Sequence, residues 1–255
     1  MENIINRLKQ IDGKIGFYYK NLVTGEVLKY NEKEPMLAAS LIKLTVLGEV
    51  FNQIEDGKIS ESEVFITKNE DKVPSCGALN YLEEGLEVKL KDLYTLMIIL
   101  SDNYATNMLI DKCEIENINN FIKENNLTNT VLKRKMFDAE GANKGLENYT
   151  SAEDMAILLE KIYNGTLVSK EASFKMLEVL KNQRLNGKIP FFLSSNPNKV
   201  QIAHKTGEDT NTTHDVGIVF AKDPFIICFL SNDVDVPNFE RAMQDISLEI
   251  YKINK

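Results

Sequence analysis

Residues 40–51 read Ser40-Leu41-Ile42-Lys43-Leu44-Thr45-Val46-Leu47-Gly48-Glu49-Val50-Phe51. Leu41, Leu44, Leu47 and Phe51 recur at helical spacing, which predicts a helix that starts at Ser40 and stops near Gly57. A helix puts residues three apart on one face, so the Lys43 amine can reach the Ser40 hydroxyl. Serine is a weak nucleophile until a base takes its proton, and a partly desolvated lysine beside other cations can be neutral enough to serve. The open N–H groups at a helix start also favour developing negative charge. Taken alone the pair has an ordinary alternative, a serine capping a helix.

Upstream of this helix, Ile4, Ile5, Leu8 and Ile11 share one helical face. Two β-rich runs, Ile15–Tyr19 and Glu26–Tyr30, flank a turn at Leu22–Gly25 and predict a hairpin. Downstream, Leu90–Leu100, Asn103–Cys113, Ile115–Asn125 and Ala152–Asn164 read as helices, the last capped by Ser151 and stopped by Gly165. Lys133–Tyr149 is charged, contains Gly141 and Gly145 and has no steady period, so it predicts a long ordered loop, a length that usually carries function. Val200–Lys205, Asp215–Ala221 and Phe225–Ser231 read as strands, and Asn238–Tyr251 as a closing amphipathic helix. Strands at both ends enclosing a helical middle predict an α+β fold. One antiparallel sheet built from both ends, residues 1–37 and 188–255, would be covered by the terminal helices, with an all-α subdomain at 38–187.

Composition narrows the function. The chain has 255 residues, enough for a full core without a disulfide or metal staple. Its net charge of −8 disfavours nucleic acid as a partner, because phosphate binding needs a concentrated positive field. The longest apolar run, Phe225–Leu230, is far too short to span a bilayer, so no membrane insertion is expected. Residues 1–20 lack the apolar core of a signal peptide, which predicts a cytoplasmic protein as the sequence stands, or an extracytoplasmic one if a leader has been removed. Cys76, Cys113 and Cys228 have no C-x-x-C spacing and read as small buried thiols. His204 and His214 are the only histidines and form no zinc motif; with no G-x-G-x-x-G or P-loop either, no metal and no cofactor is expected.

Two further motifs change the reading of Ser40. Ser101-Asp102-Asn103 follows the apolar helix ending at Leu100, and Lys205-Thr206-Gly207 lies on a strand. Each is ordinary alone, a helix stop with its cap and a strand end with a turn glycine. Together, S-x-x-K, S-D-N and K-T-G occur in the order and on the elements of one catalytic signature. Intervals of 61 and 104 residues separate their first residues. The chain therefore resembles the serine β-lactamase and penicillin-binding protein superfamily, closest to class A, over essentially its whole length.

The resemblance implies a five-stranded antiparallel sheet and an acyl-enzyme mechanism. It makes Ser40 the acylated nucleophile, Lys43 its base or proton relay, and Ser101 the shuttle to the leaving nitrogen. Lys205 supplies positive charge, Thr206 and Gly207 lie against the substrate carboxylate, and Asn103 binds the substrate's side-chain amide. The backbone N–H groups of Ser40 and Glu208 form the oxyanion hole. A monomer acting on a small β-lactam, or on another acyl or peptide substrate, is expected. The alternatives are a penicillin-binding-protein-like peptidase, amidase or esterase, and a non-catalytic acyl-binding sensor.

Two departures stand out. Arg134 matches the arginine that opens the class A loop, but Met136 stands where the deacylating glutamate belongs and Glu140 where an asparagine follows. Asp138 or Glu140 is then the candidate deacylation base. Asn148 replaces the loop-closing aspartate, so the expected ion pair with Arg134 becomes a hydrogen bond. No arginine lies beside Lys205 to meet a substrate carboxylate; His204 and His214 flank the site instead, and His214 faces either the cleft or the strand surface.

Overall fold

The computed structural model describes residues 2–74, 76–193 and 200–255. Helix α1 (Glu2–Leu8) leads into strands β1 (Lys14–Asn21), β2 (Val27–Tyr30) and β3 (Met36–Leu37). A 3₁₀ turn at Ala39–Ile42 precedes α2 (Lys43–Glu55). Then follow β4 (Val64–Ile66), β5 (Glu87–Lys89), α3 (Leu90–Ile99), α4 (Asn103–Cys113), α5 (Ile115–Glu124), α6 (Ala139–Asn143), β6 (Tyr149–Thr150), α7 (Ala152–Tyr163) and α8 (Lys170–Lys181). Strands β7 (Gln201–Asp209), β8 (Thr212–Phe220) and β9 (Phe225–Asn232) and helix α9 (Val236–Asn254) close the chain.

The main sheet has five strands in the order β2-β1-β9-β8-β7, every neighbouring pair antiparallel. Successive side chains on a strand point to opposite faces, and both faces here are covered. Phe225, Ile227 and Phe229 join Ile15, Phe17 and Tyr19 against Ile4 and Leu8 of α1 and Phe239, Met243, Ile246 and Ile250 of α9. Ile226, Cys228 and Leu230 face the other way, into the core shared with the helices. That double cover explains why β9 is an unbroken apolar run.

In the helical half, α2 packs against α3, α4, α5 and α8, so it is buried around nearly its whole girth from Lys43 to Phe51. Two small ribbons accompany the helices, β4 with β5 and β3 with β6. The β3–β6 ribbon ties the segment before Ser40 to the end of the 133–149 loop. That loop has no steady period, yet one short helix, α6, forms in it, started by Asp138 accepting a hydrogen bond from the Gly141 N–H at 2.9 Å. Strand β7 outruns its predicted end, continuing through Lys205-Thr206-Gly207 to Asp209. No helix among the described residues is long and apolar enough to cross a membrane.

Candidate active site

Four elements meet where the sheet edge faces the helical half. The 3₁₀ turn supplies Ser40, the start of α2 supplies Lys43, the α3–α4 junction supplies Ser101 and Asn103, and edge strand β7 supplies Lys205. Local backbone strain sits at two of these points. Ala39 and Ser101 have φ of 43° and 54°, the left-handed region that side chains rarely adopt. Asp102 fixes the second. Its Oδ1 caps α4 by accepting from Ala105 N at 3.0 Å, and its Oδ2 accepts from Ala78 N at 2.7 Å and Leu79 N at 2.9 Å. The chain at Gly77 passes so close that a Cβ there would lie 2.3 Å from the Asp102 carboxyl carbon, and its φ is +122°. Only glycine fits.

The Ser101 hydroxyl lies between two buried lysines. Lys43 Nζ approaches its Oγ at 3.1 Å and Lys205 Nζ at 2.9 Å. Lys43 also donates to the Ser101 carbonyl at 2.6 Å and to Asn103 Oδ1 at 2.7 Å. Its three hydrogen bonds therefore go to the α3–α4 junction, whereas helical spacing pointed it at Ser40. Lys205 donates in addition to the Thr206 carbonyl at 2.6 Å. Burial pushes the Lys43 pKa well below the ordinary lysine value, and the nearby Lys205 charge adds to this. Burial and then the Lys188 ammonium bring Lys205 down to about 7. A lysine held near neutrality has a lone pair for a hydroxyl proton.

Register places the backbone of β7. Asp209 pairs with Thr212 across a two-residue turn, which makes them a hydrogen-bonded pair. Alternation then turns the N–H and C=O groups of Glu208 and Thr206 away from β8, toward Ser40 and the cleft. The Thr206 carbonyl does face that way, since it accepts from Lys205. Gly207 allows the approach of this strand to the 3₁₀ turn: a Cβ there would lie 2.9 Å from the His214 ring and 3.3 Å from Leu41.

The cleft is lined by Ser40, Asn103, Arg134, Met136, Glu147 and Glu208, among others. Met136 is bracketed by Asn107 of α4, whose Oδ1 accepts from Met136 N at 2.8 Å and whose Nδ2 donates to Met136 O at 3.0 Å. Asp138 and Glu140 do not line this cleft. Asp138 caps α6 and lines a neighbouring cavity, and Glu140 is an exposed partner of Lys144 at 2.6 Å.

The expected pairing of Arg134 is corrected. Its guanidinium goes to Glu147, with Nη2 at 2.7 Å and Nε at 3.2 Å from Oε2. Asn148 bonds backbone instead, accepting from Lys133 N and Arg134 N at 2.7 and 3.1 Å and donating to Arg134 O at 3.0 Å. A carboxylate one residue earlier takes the cation, which frees the amide to bracket the chain.

Neither histidine faces the cleft or the strand surface. His214 is buried, its Nε2 donating to Leu37 O at 2.9 Å and its Nδ1 accepting from Ser231 N at 3.0 Å. Burial lowers its pKa to about 4, which keeps the ring neutral. His204 is buried between Asp215 Oδ1 at 2.8 Å and Asn186 Oδ1 at 3.0 Å. Of the cysteines, Cys113 and Cys228 are buried, but Cys76 lines the cleft.

Sequence reasoning missed Glu147 and Lys188. Lys188 is 3% exposed, donates to Glu208 Oε1 at 2.9 Å and His214 O at 3.2 Å, and is the cation whose charge reaches Lys205. A lone lysine ahead of a strand carries no signal of burial. Glu147 had a weak one, a carboxylate next to the residue aligned with the loop-closing acid.

A sequence profile of the beta-lactamase enzyme family matches residues 1–253. A beta-lactamase of Rhodobacter capsulatus is 23% identical over 261 residues, which cover 99% of this chain and 87% of that protein. The crystal structure of a beta-lactamase from Sphaerobacter thermophilus superposes with a TM-score of 0.91 at 25% identity, covering 99% of this chain and 96% of the other. A mutant of PBP-A, solved as an acyl-enzyme complex with penicillin G, superposes with a TM-score of 0.87 at 25% identity, covering 99% and 96%.

Proposed function

The chain belongs to the beta-lactamase enzyme family, and from that premise we propose that it is a serine hydrolase that opens β-lactam amides through an acyl-enzyme on Ser40 and releases the product slowly. In this reading the substrate lies between the sheet unit, 1–37 with 188–255, and the helical unit, 38–187.

The observation that carries it is the Ser101 hydroxyl bridged by Lys43 and Lys205 beside an accessible Ser40. Ser40 Oγ attacks the lactam carbonyl while neutral Lys43 takes its proton. The carbonyl oxygen becomes an oxyanion facing the Ser40 and Glu208 N–H groups, the second turned outward by the strand register. Ser101 passes a proton to the leaving nitrogen and is resupplied by the lysines. Asn103 holds the side-chain amide, and Lys205, Thr206 and Gly207 flank the carboxylate.

Release is the slow half. A thioether cannot accept the proton an attacking water must lose, and Met136 occupies the glutamate's place. The same feature favours the second reading, a penicillin-binding-protein-like acyl-enzyme that persists, in keeping with the likeness to PBP-A. Intact-protein mass spectrometry after penicillin G tests the proposal. One adduct should form, map to the peptide containing Ser40 and decay slowly; an adduct that survives in Ser40→Ala ends the assignment.

A further inference from the structure

If Ser40 is acylated, something must still activate the water that removes the acyl group. We propose that this base is Glu147, a residue to which the sequence alone gave no role.

Backbone pairing brings it to the nucleophile. Met36 pairs with Thr150 and Leu37 with Tyr149, and the ladder continues with Ala38 N donating to Asn148 O at 2.8 Å. The next residues along the two segments are Ala39, the residue before Ser40, and Glu147, and all three line one cleft. The Glu147 side chain is 30% exposed. Both hydrogen bonds that Arg134 makes to Glu147 go to one oxygen, Oε2. Among the described residues Oε1 accepts no hydrogen bond, so it can take one from water while the guanidinium holds the carboxylate in place. The other carboxylates of the cleft, Glu208 and Asp209, lie on the opposite wall on β7, and Glu208 Oε1 is taken by Lys188.

In the step itself, a water oxygen forms a bond to the acyl carbonyl carbon as its proton passes to Glu147 Oε1, and the carbonyl electron pair moves onto its oxygen. The intermediate collapses with cleavage of the bond from that carbon to Ser40 Oγ. Ser40 Oγ takes up the proton and Glu147 returns to its ionised form. The titratable or charged groups that share the cleft are Arg134 and Cys76 on the helical side and Glu208 and Asp209 on β7. Lys43 and Lys205 stand behind Ser101.

This inference rests on the Ser40 reading, and one experiment separates the two. Penicillin G acylation and the decay of the isolated acyl-enzyme are followed by mass spectrometry across pH in the wild type, E147Q and R134Q. The wild-type decay should slow on acidification, as the base is protonated. E147Q should acylate normally, deacylate roughly 10²-fold more slowly and lose that pH dependence. R134Q breaks the same ion pair but should keep the pH dependence. Decay of E147Q at the wild-type rate, or equal losses in both variants, would overturn the proposal and leave Glu147 as the partner of Arg134 only. Should E147Q fail to fold, E147D carries the test: normal acylation with a slowed decay supports the proposal, and decay at the wild-type rate overturns it. A wild type that never acylates removes the Ser40 reading and this one with it.

Discussion

Lys205 shows what a fully buried lysine costs the fold. Its amine is fully buried, beside another buried amine, and its pKa falls from 10.5 to about 7 chiefly through burial. Between those pH values the unfolded chain binds a proton that the folded chain does not, so stability contributed by this residue rises with pH across the window. Below about 7 the ammonium is charged in both states and the full penalty of burial applies. Lys205→Met removes the charge and keeps the volume. It should make the protein more stable at neutral pH by about 1–2 kcal/mol, since replacing buried ionic groups by apolar ones of similar size is often stabilising. It should also flatten the rise of stability between pH 7 and 10.5 and slow acylation by roughly 10²–10⁴-fold. Denaturant unfolding at several pH values checks the first two effects and burst kinetics the third; a variant less stable than wild type at pH 7 would contradict this account. The residue types of the site were legible because they recur in a fixed order. Their electrostatics were not: the lowered pKa values come first from burial and then from a neighbouring ammonium, Lys205 for Lys43 and Lys188 for Lys205, and no local pattern encodes either.

The loop from Lys133 to Tyr149 was legible as a long ordered connection, and the loss of its usual glutamate could be read directly from Met136. Its internal bonding could not. Which of two adjacent residues, Glu147 or Asn148, meets Arg134 depends on the direction each side chain takes once β6 pairs with β3, and two paired residues are too few to show in a sequence. The loop nevertheless presents Met136 firmly, through both hydrogen-bonding groups of its backbone bound to Asn107. A side chain on so fixed a backbone can be exchanged without moving the loop. Met136→Glu should therefore place a further carboxylate in the cleft and raise the steady-state hydrolysis of penicillin G by roughly 10–10²-fold, with the acylation burst unchanged. A slower steady state in that variant, or loss of the burst, would mean that position 136 faces the cleft differently from what the Asn107 bracket requires.

At the scale of the molecule, the sheet and its two covered faces follow from patterns with clear physical periods. Helical spacing in α9 and the short apolar runs near both ends sufficed to place the layers. The joins between layers were hidden, and His214 is the instructive case. From β8 it reaches Leu37 of β3 and Ser231 of β9, so one imidazole ties the sheet to the segment that leads into Ser40. Both bonds require the neutral ring, one nitrogen donating and the other accepting. Burial lowers its pKa from 6.5 to about 4. As pH falls from 6.5 toward 4 the unfolded chain takes a proton that the folded chain refuses, so stability declines across that window, by about 3 kcal/mol at most from this group. Below about 4 the folded ring would also be protonated and the decline from this residue stops. His214→Gln offers a donor and an acceptor without titration. It should lower stability at pH 7, because the amide fills the site less well than the ring. It should also reduce the slope of stability against pH between about 6.5 and 4, where wild type loses most. Carboxylates with lowered pKa values, Glu61 and Glu208, steepen the acid limb in both proteins and cancel in the difference. If the two slopes coincide, His214 is not the group through which acid reaches the join between the sheet and the turn that carries Ser40.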